Sequence, residues 1–208
     1  MPRQVVDYYF SFQSPWAYIV HKLFGQLVKT YDLKVNYKPV VLVELFSETG
    51  GLPLNKRHPA RQRYRMLELQ RWREKRGLKF HLQPKNWPFD ARLADGVVIA
   101  ALAAGVDPDG FLQRAFAAIW EGERNLADAD TVAAIADEAG LQGKQLVERS
   151  KSDEIGAAYE QNRRDALAAD VFGSPAYVLN GEVFWGQDRL DLLEDAIKSG
   201  RAPYRSQV

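Results

Sequence analysis

Residues 171–190 read VFGSPAYVLNGEVFWGQDRL, and the fold turns on how they are taken. Asn180-Gly181 stands between two short runs rich in aromatic and β-branched residues. That pair is the strongest short-range signal for a tight hairpin, because both central positions of such a turn need positive φ. The residues that follow, QDRLDLLEDAIKSG, read as an amphipathic helix closed by Gly200. The chain therefore ends in strand, strand, helix.

The other end has a matching pattern. Residues 7–20 read DYYFSFQSPWAYIV: an aromatic, β-branched strand over Gln4 to Ser11, then a helix from Pro15 to Tyr31 with Tyr18, Leu23 and Leu27 near one face. Leu33 to Leu42 reads as a second strand, which completes a βαβ unit with a parallel pair. Between these ends the periodicity changes. Phe46 to Pro59 reads as a long irregular connection, Ala60 to Arg76 as a basic helix, and residues 80–90 as aperiodic. Ala91 to about Ala169 reads as Ala-rich helices punctuated by Gly105, Gly122, Gly140 and Gly143. The order β, α, β, helical block, β, β, α is that of a thioredoxin-like α/β fold with an all-helical insertion. Its parts are expected at 1–58, 59–170 and 171–208.

The 208 residues suffice to bury roughly 70% of the unfolded surface, so no covalent staple is required. Hydrophobic residues make up 46% and charged ones 26%, and the net charge of +1 supplies no global attraction for nucleic acid or an acidic membrane. The absence of cysteine excludes disulfides, thiolate metal sites and a redox thiol of the chain's own. Any sulfur chemistry must use sulfur from outside. The start MPRQVVDYYF is too polar for a signal peptide and no apolar run approaches a membrane span, so a cytoplasmic location is expected.

His21, His58 and His81 share no ligand spacing and read as surface or packing residues, and Gly50-Gly51 lacks the Lys-Ser or Lys-Thr of a phosphate loop. The run 55–76, NKRHPARQRYRMLELQRWREKR, has nine Lys or Arg against two Glu with Tyr64 and Trp72 interleaved. A solvated helix face is the first reading and local anion binding the second; the near-neutral chain argues against a nucleic-acid surface. Read locally, Ser14 caps a helix that begins at Pro15. Ser174-Pro175 opens an edge strand or sits in a cis turn, and the scarcity of cis X-Pro bonds favours the edge strand.

Taken together, FSFQSPWAYI (10–19), NKRHPARQRY (55–64), LQRW (69–72), PKNWPFD (84–90) and VFGSPAYVLNGEVFWGQDRLDLLE (171–194) resemble the 2-hydroxychromene-2-carboxylate isomerase family, relatives of the kappa-class glutathione transferases. The resemblance spans about Val5 to Ile197. It implies a DsbA-like thioredoxin fold, glutathione as cofactor, and a Ser14 hydroxyl that contacts the glutathione sulfur where redox relatives carry cysteines. It places the backbone of Ser174, before a cis Pro175, against the peptide, with Trp185, Gln187, Asp188 and Arg189 lining the same site. Asn55, Lys56, Asn86 and Trp87 fall to a small aromatic carboxylate substrate. A homodimer without nucleic-acid or membrane partners is implied as well. Three positions depart from the family pattern: Ser174 stands where Val is common, Gly50-Gly51 replaces Gly-Asn, and the stretch with Glu44 and Ser47 lacks a lysine. Besides isomerisation, two functions remain open: a kappa-like transferase, and a non-catalytic thioredoxin-fold binding module in which Ser14 is only a cap.

Overall fold

A computed structural model describes residues 3–206. Its four-stranded sheet has the order β2-β1-β3-β4, with β1 at Val5–Phe10, β2 at Lys34–Pro39, β3 at Ala176–Leu179 and β4 at Glu182–Trp185. β1 and β2 run parallel, joined by α1 (Pro15–Thr30), and β3 pairs antiparallel with both β1 and β4. The β3–β4 turn places Asn180 at φ 53° and Gly181 at φ 81°, the geometry its sequence requires. α9 (Leu190–Ser199) ends at Gly200 in the left-handed region.

Alternation along β1 gives the sheet two faces. Val6, Tyr8 and Phe10 enter the larger core, where Tyr8 stacks on Tyr177 at 5.2 Å and packs on Phe24. Asp7 and Tyr9 alternate with them, and Tyr9 joins a smaller apolar cluster with Val40, Leu45, Ala166 and Val171. Between β2 and β3 the chain forms α2 (Leu42–Thr49), a 3-10 turn (Leu54–Lys56) and α3 (Pro59–Lys75). It continues through α4 (Arg92–Ala103), α5 (Asp109–Trp120), α6 (Ala129–Glu138), α7 (Gly143–Arg149) and α8 (Asp153–Ala168). This is the expected helical insertion on a thioredoxin-like sheet. No helix among the described residues is long and apolar enough to cross a membrane.

Two sequence expectations need correction. The second strand stops at Pro39 rather than Leu42, and part of the stretch read as an irregular connection is α2. Val40 and Val41 favour a strand locally, but helical winding carries Leu45 to complete burial beneath α8, and Gly50 at φ 78° ends the helix. Tertiary burial outweighs propensity here. Ser174-Pro175 does not open an edge strand either. Its peptide bond is cis, and β3 lies inside the sheet between β1 and β4. Pro175 precedes the paired residues, so its missing N–H removes no ladder bond, and its carbonyl accepts the Gly186 N–H at 3.0 Å.

Candidate active site

The loop that leaves β1 and the segment that enters β3 meet at Ser14. Ser14 is the N-cap of α1 in extended geometry, and its Oγ accepts the Ala17 N–H at 3.3 Å. The same hydroxyl donates to the Ser174 carbonyl at 3.0 Å, across 160 positions of sequence. In return the Ser174 Oγ accepts the Ser11 N–H at 3.0 Å. All three serines are buried. Pro15 has no N–H and Ala17 is already bonded, which leaves Trp16 as the unpartnered first-turn donor among the described residues.

β4 runs alongside and supplies a second wall. Trp185 is half exposed and tilts against Phe172 at 4.6 Å, and its indole passes so close to Gly173 that a Cβ there would lie 2.4 Å from Nε1. Gly186 has φ 118°, and beyond it Gln187 turns inward to 4% exposure with its Oε1 bonded to nothing. A buried amide oxygen without a donor is costly unless a ligand supplies one. Asp188 and Arg189 sit at the start of α9, nearly half exposed, and pair with each other at 2.5 Å.

The third wall comes from the insertion. Trp87 donates its Nε1–H to the carbonyl of Gln13, the residue before Ser14, at 3.0 Å, and lies 6.2 Å from Trp120. Trp120 in turn donates to the Phe12 carbonyl at 3.2 Å. Both indoles thus hold the β1–α1 loop. Asn86 gives its amide hydrogen to the Glu123 carbonyl at 2.7 Å, which fixes the segment that carries Trp87. Asn55 and Lys56 are exposed on the 3-10 turn and make no side-chain hydrogen bond to the Ser14 cluster among the described residues. The histidines are dispersed. His21 is buried against Phe116, His58 caps α3 through Nδ1, and His81 is exposed.

Ser11 was not singled out in the sequence, where it closes the run read as the first strand. The Ser14 N–H donates to the Ser11 carbonyl at 3.0 Å and the Gln13 N–H to Ser11 Oγ at 3.3 Å, so Ser11 shapes the loop that presents Ser14. Arg65 was missed too. Its guanidinium carbon lies 5.4 Å from the centre of the Trp87 ring. Its only advance sign was membership of a basic run.

A serine at the helix start facing a cis-proline, on this sheet, defines a cysteine-free member of the thioredoxin-fold class. Residues 5–198 match the DSBA-like thioredoxin domain, and the chain belongs to that family. It is 28% identical over 193 residues to a 2-hydroxychromene-2-carboxylate isomerase from Sphingobium xenophagum, covering 92% of this chain and 96% of that protein. It is 23% identical to glutathione S-transferase kappa 1 of Caenorhabditis elegans, covering 95% and 92% of the two chains. A solved 2-hydroxychromene-2-carboxylate isomerase superposes with a TM-score of 0.80 at 25% identity, covering 94% of this chain and 95% of the other.

Proposed function

We propose that the protein is a glutathione-dependent isomerase that interconverts 2-hydroxychromene-2-carboxylate and trans-o-hydroxybenzylidenepyruvate. The observation that carries this reading is the Ser14 hydroxyl, buried at the start of α1 and bonded to the carbonyl before cis Pro175 in a chain without cysteine. The relatives named above act as support, two by sequence and one by fold.

The surroundings fit a cysteine-containing tripeptide. The Ser174 carbonyl can accept a peptide N–H, the unpaired Gln187 Oε1 can accept another donor, and Asp188 with Arg189 offers both charges to a zwitterion. When bound, glutathione would supply a thiolate able to add reversibly to the conjugated double bond, so that rotation about a single bond becomes possible before it leaves unchanged. Ser14 now directs its proton to the Ser174 carbonyl. A peptide N–H accepted by that carbonyl would free the hydroxyl to donate toward the sulfur position, and the Trp16 N–H adds the positive end of α1. Trp87 would lie beside the aromatic ring, with Asn86 holding its segment and Asn55 and Lys56 at the rim. A cytoplasmic homodimer accords with this reading.

A transferase is the second reading, favoured by the kappa-class relative. There the same thiolate would remain attached to the electrophile. Soaking glutathione into crystals tests the shared site: the sulfur is expected within hydrogen-bonding distance of Ser14 Oγ, and a sulfur elsewhere would defeat both readings.

A further inference from the structure

The basic run 55–76 is not a uniform solvated face. Arg71 pairs with Glu68 at 2.6 Å, and Arg73 donates to the Phe80 carbonyl at 3.2 Å. Arg57, Arg61 and Arg65 meet no carboxylate within ion-pair distance among the described residues. Arg57 gives its Nε–H to the Leu52 carbonyl. Arg65, half-buried on α3, finds only the thioether of its neighbour Met66 at 3.9 Å, a weak acceptor.

These cations also feel one another. Burial, and then the charge of Arg57, hold the Arg65 guanidinium down at about 10, and burial followed by Arg61 lowers Arg57. Like charges gathered out of water without an anion are unfavourable, and a bound carboxylate would relieve both causes. The position is specific. Arg65 lies over the Trp87 ring, and that indole is fixed to the Gln13 carbonyl, one residue before Ser14. One ring and one peptide therefore connect an unfilled guanidinium fork to the proposed reacting centre. Packing alone, the plain alternative, would account for the cation over the ring but not for a set of guanidinium groups beside it that meets no carboxylate.

We propose that Arg65, backed by Arg57, is the residue that binds the carboxylate of the aromatic substrate and so orients it beside Ser14. This assignment rests on the isomerase reading above and places at Arg65 the substrate-binding role that the family resemblance implied for the exposed Lys56.

Binding tests it without turnover. With glutathione saturating, wild type, Arg65→Gln, Arg65→Lys and Lys56→Gln are titrated calorimetrically with trans-cinnamate and with its neutral amide. Wild type is expected to prefer the acid by about tenfold or more, the scale of a charge-assisted fork. Arg65→Gln should reduce that ratio to near one, with glutathione affinity retained, and in separate initial-rate assays of the isomerisation raise KM far more than it lowers kcat, whereas Arg65→Lys should keep part of the preference. Should Arg65→Gln not fold, Arg65→Lys is read alone, and an undiminished preference there counts against the fork. No acid preference in wild type, full preference in Arg65→Gln, or its loss in Lys56→Gln instead would overturn the proposal. A retained Arg65-dependent preference in a protein that does not isomerise would remove the isomerase reading and leave the carboxylate site.

Discussion

Replacing Ser14 by alanine separates two roles that one hydroxyl combines. Its oxygen accepts the Ala17 N–H at 3.3 Å and its proton reaches the Ser174 carbonyl at 3.0 Å, in a residue 3% exposed. Losing an N-cap costs roughly 0.5–2 kcal/mol, and stranding a buried carbonyl adds about 1–3 kcal/mol. A stability loss of about 1.5–5 kcal/mol is expected, to be set against the roughly 5–15 kcal/mol of a typical domain. The effect on turnover has a different origin. Bringing a thiol from ~8.5 to ~6.5 takes roughly 2.7 kcal/mol, and a hydrogen bond to a charged acceptor supplies about 1.5–3 kcal/mol. Pro15 has no N–H to take over, so turnover should fall by roughly 10–150-fold. Denaturant unfolding establishes that the variant is native. Initial rates between about pH 5 and 9 then give the acid limb, which should move upward toward the free thiol value. A native Ser14→Ala protein with wild-type rates and an unmoved limb would show that the Ser14 hydroxyl does not stabilise the thiolate.

Asp188→Ala and Arg189→Ala should each weaken glutathione binding by under ~1 kcal/mol, because the pair is nearly half exposed, and calorimetry showing no change in either removes both from the site. Asp95 is fully buried, bonded to the Tyr159 hydroxyl at 2.5 Å, and burial raises its carboxyl to about 8. Its folded value lies above the unfolded one, so its contribution is present in acid and lost as pH rises from about 4 toward 8. Asp95→Asn should therefore raise the melting temperature near pH 7 but not near pH 4, worth at most about 4 kcal/mol; an equal shift at both would contradict this. His21, pushed down to about 4 mainly by burial and only partly offset by Asp109, acts with the opposite sign. Stability should be full above about 6.5 and fall through about 4 as the unfolded chain takes up the proton first, and His21→Gln should flatten that part of the pH–stability curve.

The parts legible in the sequence are those governed by local rules. Asn180-Gly181 demanded its turn, Ser14-Pro15 its helix start, and the period of residues 190–199 its final helix. α2 was hidden because Val40 and Val41 look like strand residues, and only burial of Leu45 against α8 decides otherwise. The inner position of Pro175 was hidden because a cis bond before a paired strand leaves no local mark. For the proposed site, Ser14 stood out locally only as a cap, and its role, like those of Trp87 and the segment 185–189, came from the family resemblance, whereas the Ser14–Ser174 bond and the seat of Arg65 over Trp87 are long-range contacts that no spacing expresses. Ser11 lay within a strand reading and therefore carried no signal as a loop former.

In the proposed reaction a thiol borrowed from outside is used and returned. Isomerisation of trans-o-hydroxybenzylidenepyruvate is therefore followed with glutathione far below the substrate concentration and with free thiol counted over many turnovers. Strict dependence on glutathione and an unchanged thiol count at the end are expected. Isomerisation without glutathione, or thiol lost one for one with substrate, would contradict this, and the second result would identify a transferase.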